Sequence, residues 1–326
     1  MPSYRVLVVT NLWPSDVDPG YGSFVQAQME SLRPLGVEFD VLFIQGRSSR
    51  WNYARAAADL RRRLKAKPYD LIHAHFGLSG WVARCQFSVP VVVSFMGDDV
   101  LGRFKRNGRI SIYGRFLQAS SFLLARLVSA VIVKSREMKS KLNLASARVI
   151  PNGVDLNLFH PMDRDAARRT LGLDLHKKFV LFPYNPNEER KRFDLIEAAV
   201  VLARESIPEL EILHVRGVPG DRMPLYMNAA DVLVLASLAE GSPNAVKEAM
   251  AANLPVVTVN VGDTADLIGA TEGCHLVPRE AQAIAARIVE VCRRGTRTRG
   301  REWIARLSME NVAAQIVGIY AQVARH

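Results

Sequence analysis

Ten short runs rich in Val, Ile and Leu recur along the chain, each followed by a loop and then a stretch of helical period. In the first half they are RVLVV (5–9), FDVLFI (39–44), LIHAH (71–75), VVVSF (91–95) and AVIVK (130–134). In the second half they are FVLFP (179–183), LEILHV (210–215), DVLVLA (231–236), PVVTV (255–259) and CHLVP (274–278). Most lack polar alternation, as expected of strands buried on both faces of a parallel sheet. Amphipathic stretches such as 193–205 and 280–294 supply the covering helices.

A chain of 326 residues is long for one hydrophobic core. Two successive strand–helix sets therefore predict an α/β protein of two doubly wound, Rossmann-like parallel-sheet domains facing across a cleft. The expected division is 1–155 and 160–307, because Pro151, Asn152, Gly153 and Pro161 punctuate the connector between them. A final helix, 308–326, starts at Ser308 as its expected cap and is expected to pack back on the first domain.

Charge separates the halves as well. Residues 1–160 hold 22 Lys and Arg against 11 Asp and Glu, whereas 161–326 hold 21 of each. The first half thus reads as attracting an anionic surface or ligand, or else as a basic surface kept for solubility. Three scattered cysteines (Cys85, Cys274, Cys292) argue against a disulfide framework, and no HExxH or CxxC pattern suggests zinc. The opening MPSYRVLVVT reads as a strand rather than a secretory leader. The segment 111–133 is the most membrane-like, but Arg115 and Arg126 interrupt it, so no span is expected.

Several loops after strands could hold a ligand. In NLWPSDVDPGYGSFV, Gly20 and Gly22 precede a helix expected near Ser23, a setting that suits a phosphate or merely a tight turn. The same loop contains Asp16-Val17-Asp18, formally a DxD metal motif and a frequent coincidence. Asp98 and Asp99 follow the strand VVVSF, where Asp99 reads either as a ligand contact or as a turn cap. His73 and His75 alternate at the tip of LIHAH, as core histidines or as site residues. Arg190, Lys191 and Arg192 open a helix whose dipole opposes them, which suggests either an anionic partner such as a diphosphate or a solvated basic turn.

The most demanding stretch is AEGSPNAVKEAMA (239–251). Ser242 reads as a helix cap with Pro243 in the first turn, so the helix start presents free amides to an anion. Glu248 lies four residues beyond Asn244 on the same face, and Glu240 sits in the loop before. Carboxylates accept hydrogen bonds from hydroxyl groups. Two of them around an anion-binding helix start suit a diphosphate with hydroxylated groups at both ends, as in a nucleotide-sugar.

These motifs, in this order, resemble glycosyltransferase family 4, the retaining GT-B enzymes. The resemblance spans nearly the whole chain through PGYGSFV (19–25), SFMGDD (94–99), IPNGVDLNLF (150–159), ERKRFDLIEAA (189–199) and EGSPNAVKEAMAANLPVV (240–257). The last carries both acids of the family's E-x7-E signature. NPNEERKRFD, EGSPN and VNVGD are similar to the subgroup acting in bacterial cell-surface polysaccharide assembly.

The resemblance implies that Glu248 binds the ribose hydroxyls of a UDP- or GDP-linked donor and that Glu240 contacts the transferred sugar. It implies that the turn of Gly241, Ser242, Pro243 and Asn244 holds sugar and phosphate oxygens. Lys191, helped by Arg190, would neutralise the diphosphate, with Gly22 approaching it from the first domain. Transfer would proceed with retention by front-face attack, with no metal and no cofactor beyond the donor. Met96 stands where many members carry a histidine, leaving His75, Asp98 and Asp99 as acceptor-side candidates. Asn185 stands where many carry an arginine, with Arg190 or Arg192 as substitutes.

The first domain would take a saccharide or a polyprenyl-diphosphate-linked acceptor at the cytoplasmic face of an anionic membrane. Residues 101–118 with RRRLKAK (61–67) are the expected membrane surface. Two other readings stand beside this one. A GT-B-like nucleotide-sugar epimerase would share the architecture, though the E-x7-E signature weighs against it. A nucleic-acid-binding protein would account for a pI near 9.8, but no aromatic stacking platform accompanies the basic residues.

Overall fold

The computed structural model describes residues 3–15, 18, 20–105 and 107–324. The contacts among these residues divide the chain into two units, with the break between Gly153 and Val154. One unit comprises the chain to Arg103, Ile110–Gly153 and the segment from Met309 onward; the other comprises Phe104–Arg109 and Val154–Ser308.

The first unit is built on six strands: β1 (Tyr4–Thr10), β2 (Val37–Phe43), β3 (Leu71–His75), β4 (Val91–Ser94), β5 (Ala130–Val133) and β6 (Arg148–Val149). They form one parallel sheet in the order β2-β1-β3-β4-β5-β6. Val6, Leu7, Val8 and Val9 of β1 are all fully buried, the consequence of helices on both faces of a continuous apolar strand. The two-residue β6 was not among the expected strands, being too short to show a pattern within the connector.

The second unit holds β7 (Lys178–Phe182), β8 (Leu210–His214), β9 (Val232–Leu235), β10 (Val256–Val259) and β11 (His275–Val277). These form a second parallel sheet, ordered β11-β10-β9-β7-β8. Asp231 lies just before β9 rather than within it. Its Oδ2 accepts from the Phe179 amide and from the buried Arg168 guanidinium, each at 2.7 Å, which ties the start of β7 to that of β9.

The last helix, Met309–Val323, belongs to the first unit. Val312, Ala313, Ile316 and Tyr320 are buried in one cluster with Tyr4, Val6, Val8 and Leu71. Tyr320 also meets His73 Nδ1 at 2.6 Å, so this return of the chain helps close the core beneath β3. Among the described residues, no helix is long and apolar enough to cross a membrane.

Both sheets reverse their winding once, between β1 and β3 in the first unit and between β7 and β9 in the second. At such a point two loops leave the strands' carboxyl ends in opposite directions and open a crevice suited to a ligand.

Candidate functional site

At the reversal of the second sheet, the loop after β7 carries Arg190 and Lys191 and the loop after β9 carries Glu240. Glu189–Lys191 form a single 3-10 turn, and Arg192, with φ 53°, leads into the helix Phe193–Arg204. Lys191 Nζ donates to Glu240 Oε1 at 2.7 Å, and Arg190 Nη1 lies 3.0 Å from Glu240 Oε2. Arg190 also donates to Ala239 O at 2.6 Å and to Glu188 Oε1 at 2.7 Å. Arg192 instead pairs with Asp194 in the first turn of its own helix.

The cluster is buried: Lys191 is 5% exposed and Glu240 9%. Burial works to lift the Glu240 carboxyl, but the Lys191 and Arg190 charges overcome it and hold the group at about 2. The Lys191 ammonium is pulled below its ordinary range by burial, against the attraction of Glu240. Its Nζ also sits 3.5 Å from the centre of the Tyr184 ring, a cation–π contact that adds support in a desolvated place. The three cations that the sequence marked as awaiting an anion are thus already partnered within the chain, two of them by the signature acid itself.

The helix that follows runs Asn244–Ala251, and Pro243 occupies its cap position without a side-chain hydrogen bond to the first turn. The expected cap role of Ser242 is therefore corrected. Its hydroxyl donates to Asp263 Oδ2 at 2.7 Å and accepts from Lys247 Nζ at 3.1 Å. Two charged partners outcompete a backbone amide for one hydroxyl. Lys247 is 1% exposed and Asp263 8%. Burial lowers the Lys247 ammonium to about 8, against Asp263 and Glu248, and raises the Asp263 carboxyl to about 6, against Lys247.

Glu248 keeps partial solvent access on the helix face shared with Asn244. Its position deep among protein atoms nevertheless lifts its carboxyl to about 7, with Lys247 opposing the shift. The loop after β10 closes on the signature turn through Gly262. A Cβ there would lie 2.7 Å from Glu240 O and 2.9 Å from Gly241 O, and the φ of 60° favours glycine in any case. Asn185 turns its own loop, its Oδ1 accepting from the Asn187 amide at 3.0 Å.

In the first unit, Gly22 precedes the helix Ser23–Glu30 with φ 75°, and a Cβ there would stand 2.2 Å from the Leu12 carbonyl carbon. Only glycine fits so close to that backbone. Asp16 of the DxD sequence lies outside the described residues, and Asp18 pairs with Arg47 at 3.6 Å.

Two acceptor-side candidates are fully buried. Asp99 accepts from the amides of Met96, Gly97 and Gly77 at 2.9–3.1 Å, so it clamps the ends of β3 and β4 in the turn-holding role. His75 lies 4.2 Å from the His73 ring and meets Gln28 Nε2 at 3.3 Å. Neither presents a polar atom to solvent, because both lie beneath the loops rather than on them. Asp98, beside them at the start of the turn 98–101, is partly exposed.

The site residues that sequence reasoning missed are Lys247, Asp263 and Tyr184. A lysine inside the apolar stripe of a short helix, and an acid at a strand's carboxyl end in VNVGD, were the available signals.

Together these features define an α/β protein of two doubly wound units, the second with paired cations and two carboxylates at its switch point. Family models agree. Glycosyltransferase Family 4 matches residues 3–158, and Glycosyl transferases group 1 matches residues 190–294, between them most of the chain. The chain belongs to the family 4 glycosyltransferases and has the GT-B fold.

Among relatives, it is 25% identical to TuaC of Bacillus subtilis, a glycosyltransferase assigned to teichuronic acid biosynthesis, over 87% of this chain and 88% of that one. Among solved structures, sucrose-phosphate synthase from Thermosynechococcus elongatus superposes with a TM-score of 0.83 at 20% identity, over 98% of this chain and 99% of that one. HepE of Anabaena, solved with UDP and glucose, gives 0.71 at 19% identity, over 98% of this chain and all of that one. Both structural likenesses speak to the fold.

Proposed function

We propose that the chain transfers a sugar, with retention and without a metal, from a UDP- or GDP-linked donor to a glycan or polyprenyl-diphosphate-linked saccharide. The setting is cell-surface polysaccharide synthesis at the cytoplasmic face of the membrane. The observation that carries this reading is the Lys191–Glu240–Arg190 cluster at the switch point, with Glu248 on the helix that follows. HepE, a solved neighbour of this fold, holds UDP or UDP-glucose, and TuaC is assigned to teichuronic acid biosynthesis, which supports the donor class and the setting.

In this reading the diphosphate takes Lys191 and Arg190 from Glu240, whose carboxylate then accepts hydrogen bonds from the sugar. The two cations stabilise charge as it develops on the leaving diphosphate, an electrostatic contribution that grows in a water-poor site. The amides at the start of Asn244–Ala251 reinforce this through the helix dipole. Glu248 accepts from the ribose hydroxyls. The leaving phosphate oxygen takes the acceptor's proton, so no protein base is required.

The test is to incubate the protein with a panel of UDP- and GDP-sugars and a polyprenyl-diphosphate-linked saccharide, with and without EDTA. Nucleotide release would be followed, and the product anomer read by NMR. An inverted anomer, or release abolished by EDTA, would contradict the reading.

A further inference from the structure

The helix Ile112–Leu124 turns its hydrocarbon outward. Ile112 is 89% exposed, Phe116 59% and Leu123 55%, and Leu127 just beyond is 43%. These positions fall at spacings of four, seven and four, on one side of the helix. Soluble surfaces scatter exposed apolar residues singly; a continuous stripe marks a contact.

The stripe forms one wall of a groove of roughly 720 Å³ within the first unit. Helix Trp51–Ala66 gives the opposite wall with Tyr53 and Ala57, and Gly77–Ala83 gives the floor with Trp81. Ala119 and Leu123 complete a lining that is almost entirely hydrocarbon. Trp51, 77% exposed, stands at the start of the opposite helix.

Charge on the groove helices is predominantly of one sign. The helix Ile112–Leu124 carries Arg115 and no Asp or Glu, and Trp51–Ala66 carries Arg55, Arg61, Arg62, Arg63 and Lys65 against Asp59 alone. Arg115 and Arg126 are exposed on the stripe's own segment. The RRRLKAK run, by contrast, is largely engaged by partners within the chain at the surface. Arg62 pairs with Asp59 and Lys67 with Asp40, while Arg61 and Arg63 donate to the carbonyls of Cys85 and Val41.

We propose that this groove and its stripe are the membrane-docking element, inserting between the acyl chains of an anionic phospholipid bilayer. The surrounding arginines would rest among the headgroups. Hydrocarbon flanked by cations on two sides, with no acid on two of the three groove helices, matches a surface that is apolar within and negative at its face. The inference rests on the membrane part of the function proposed above and shifts the expected surface, 101–118 with 61–67, to the face of 112–127.

The test is co-sedimentation of the full chain with phosphatidylcholine vesicles, with and without phosphatidylglycerol, in the absence of nucleotide. Wild type is expected to sediment with the anionic vesicles. Acyl-brominated phosphatidylglycerol should quench its tryptophan fluorescence, and Trp81→Phe should reduce that quenching. The double variant Phe116→Ser, Leu123→Ser should lose about a hundredfold in partitioning, and Arg115→Ser about fivefold. Both replaced apolar side chains are more than half exposed, so the double variant should keep its melting temperature and its response to nucleotide. That response is measured separately, so failure of docking and failure of the donor site are distinguishable. Unchanged partitioning of the double variant, or no sedimentation of wild type, would overturn the proposal. So would binding only when polyprenyl phosphate is added to the vesicles, which would make the groove an acceptor-chain site. Loss of a wild-type dimer in the variant, with vesicle binding intact, would overturn it as well.

Discussion

Lys191 Nζ and Glu240 Oε1 lie 2.7 Å apart although 49 residues separate them in sequence, and both side chains are less than a tenth exposed. Neighbouring strands bring them together: β7 and β9 pair in register, and the two loops leave the same end of the sheet. An acid that pairs with two cations in the resting protein gives the site a built-in substitute for part of a ligand's negative charge.

Replacing that acid should separate binding from turnover. Glu240→Gln removes the competitor, so inorganic diphosphate should bind Lys191 and Arg190 more tightly than in wild type. Sugar transfer should fall, because the contact to the sugar is lost. Breaking a buried pair also leaves uncompensated charge, costing about 3–5 kcal/mol of stability. Calorimetric titration with diphosphate and urea unfolding check the two effects.

Glu248 predicts a pH dependence. The unfolded carboxyl ionises near 4.5, whereas the folded group holds its proton up to about 7. Between those values the native state binds more protons, so stability falls as pH rises through the window. Asp263, raised to about 6, acts in the same direction. Glu240, held at about 2, acts oppositely, contributing stability above 4.5 that is lost as pH falls towards 2. Ionised Glu248 is the better acceptor for hydroxyl groups, so nucleotide affinity should rise from pH 6 to pH 8. Glu248→Gln should flatten that rise, as read by titration at each pH.

Lys247 is predicted to hold the signature turn from beneath. Lys247→Met leaves Asp263 charged and poorly paired at 8% exposure, and should cost about 3–5 kcal/mol. The double change Lys247→Met, Asp263→Leu should cost much less than the two single losses added, since it removes both desolvated charges. Urea denaturation of the three variants gives the comparison.

Much of the sheet framework was legible because period and composition are local properties. Runs such as RVLVV and PVVTV could be little else than strands buried on both faces. The site was legible in its residues but less so in its wiring. Glu240, Glu248 and Lys191 stood out by spacing and by the awkward placement of like charges. That Lys191 and Arg190 already share Glu240 depends on strand order, which no local pattern reports.

Ser242 shows the limit most clearly. Its local context reads as a cap, yet its hydroxyl goes to Asp263, 21 residues away on the next strand's loop. Asp99 and His75 illustrate the same point through burial. Polar residues at strand ends look available in sequence, but here backbone amides and a second histidine enclose them.

Glu248, on the helix after the Lys191–Glu240 cluster, is expected to bind a donor nucleotide. The most direct test is thermal stabilisation of wild type and Glu248→Ala by UDP, GDP and their sugar conjugates. A ligand at about 100 times its dissociation constant adds roughly 2.7 kcal/mol, a readily measured rise in melting temperature. Such a rise is expected with one nucleotide class in wild type, and its loss in Glu248→Ala. An equal rise in both proteins would contradict it.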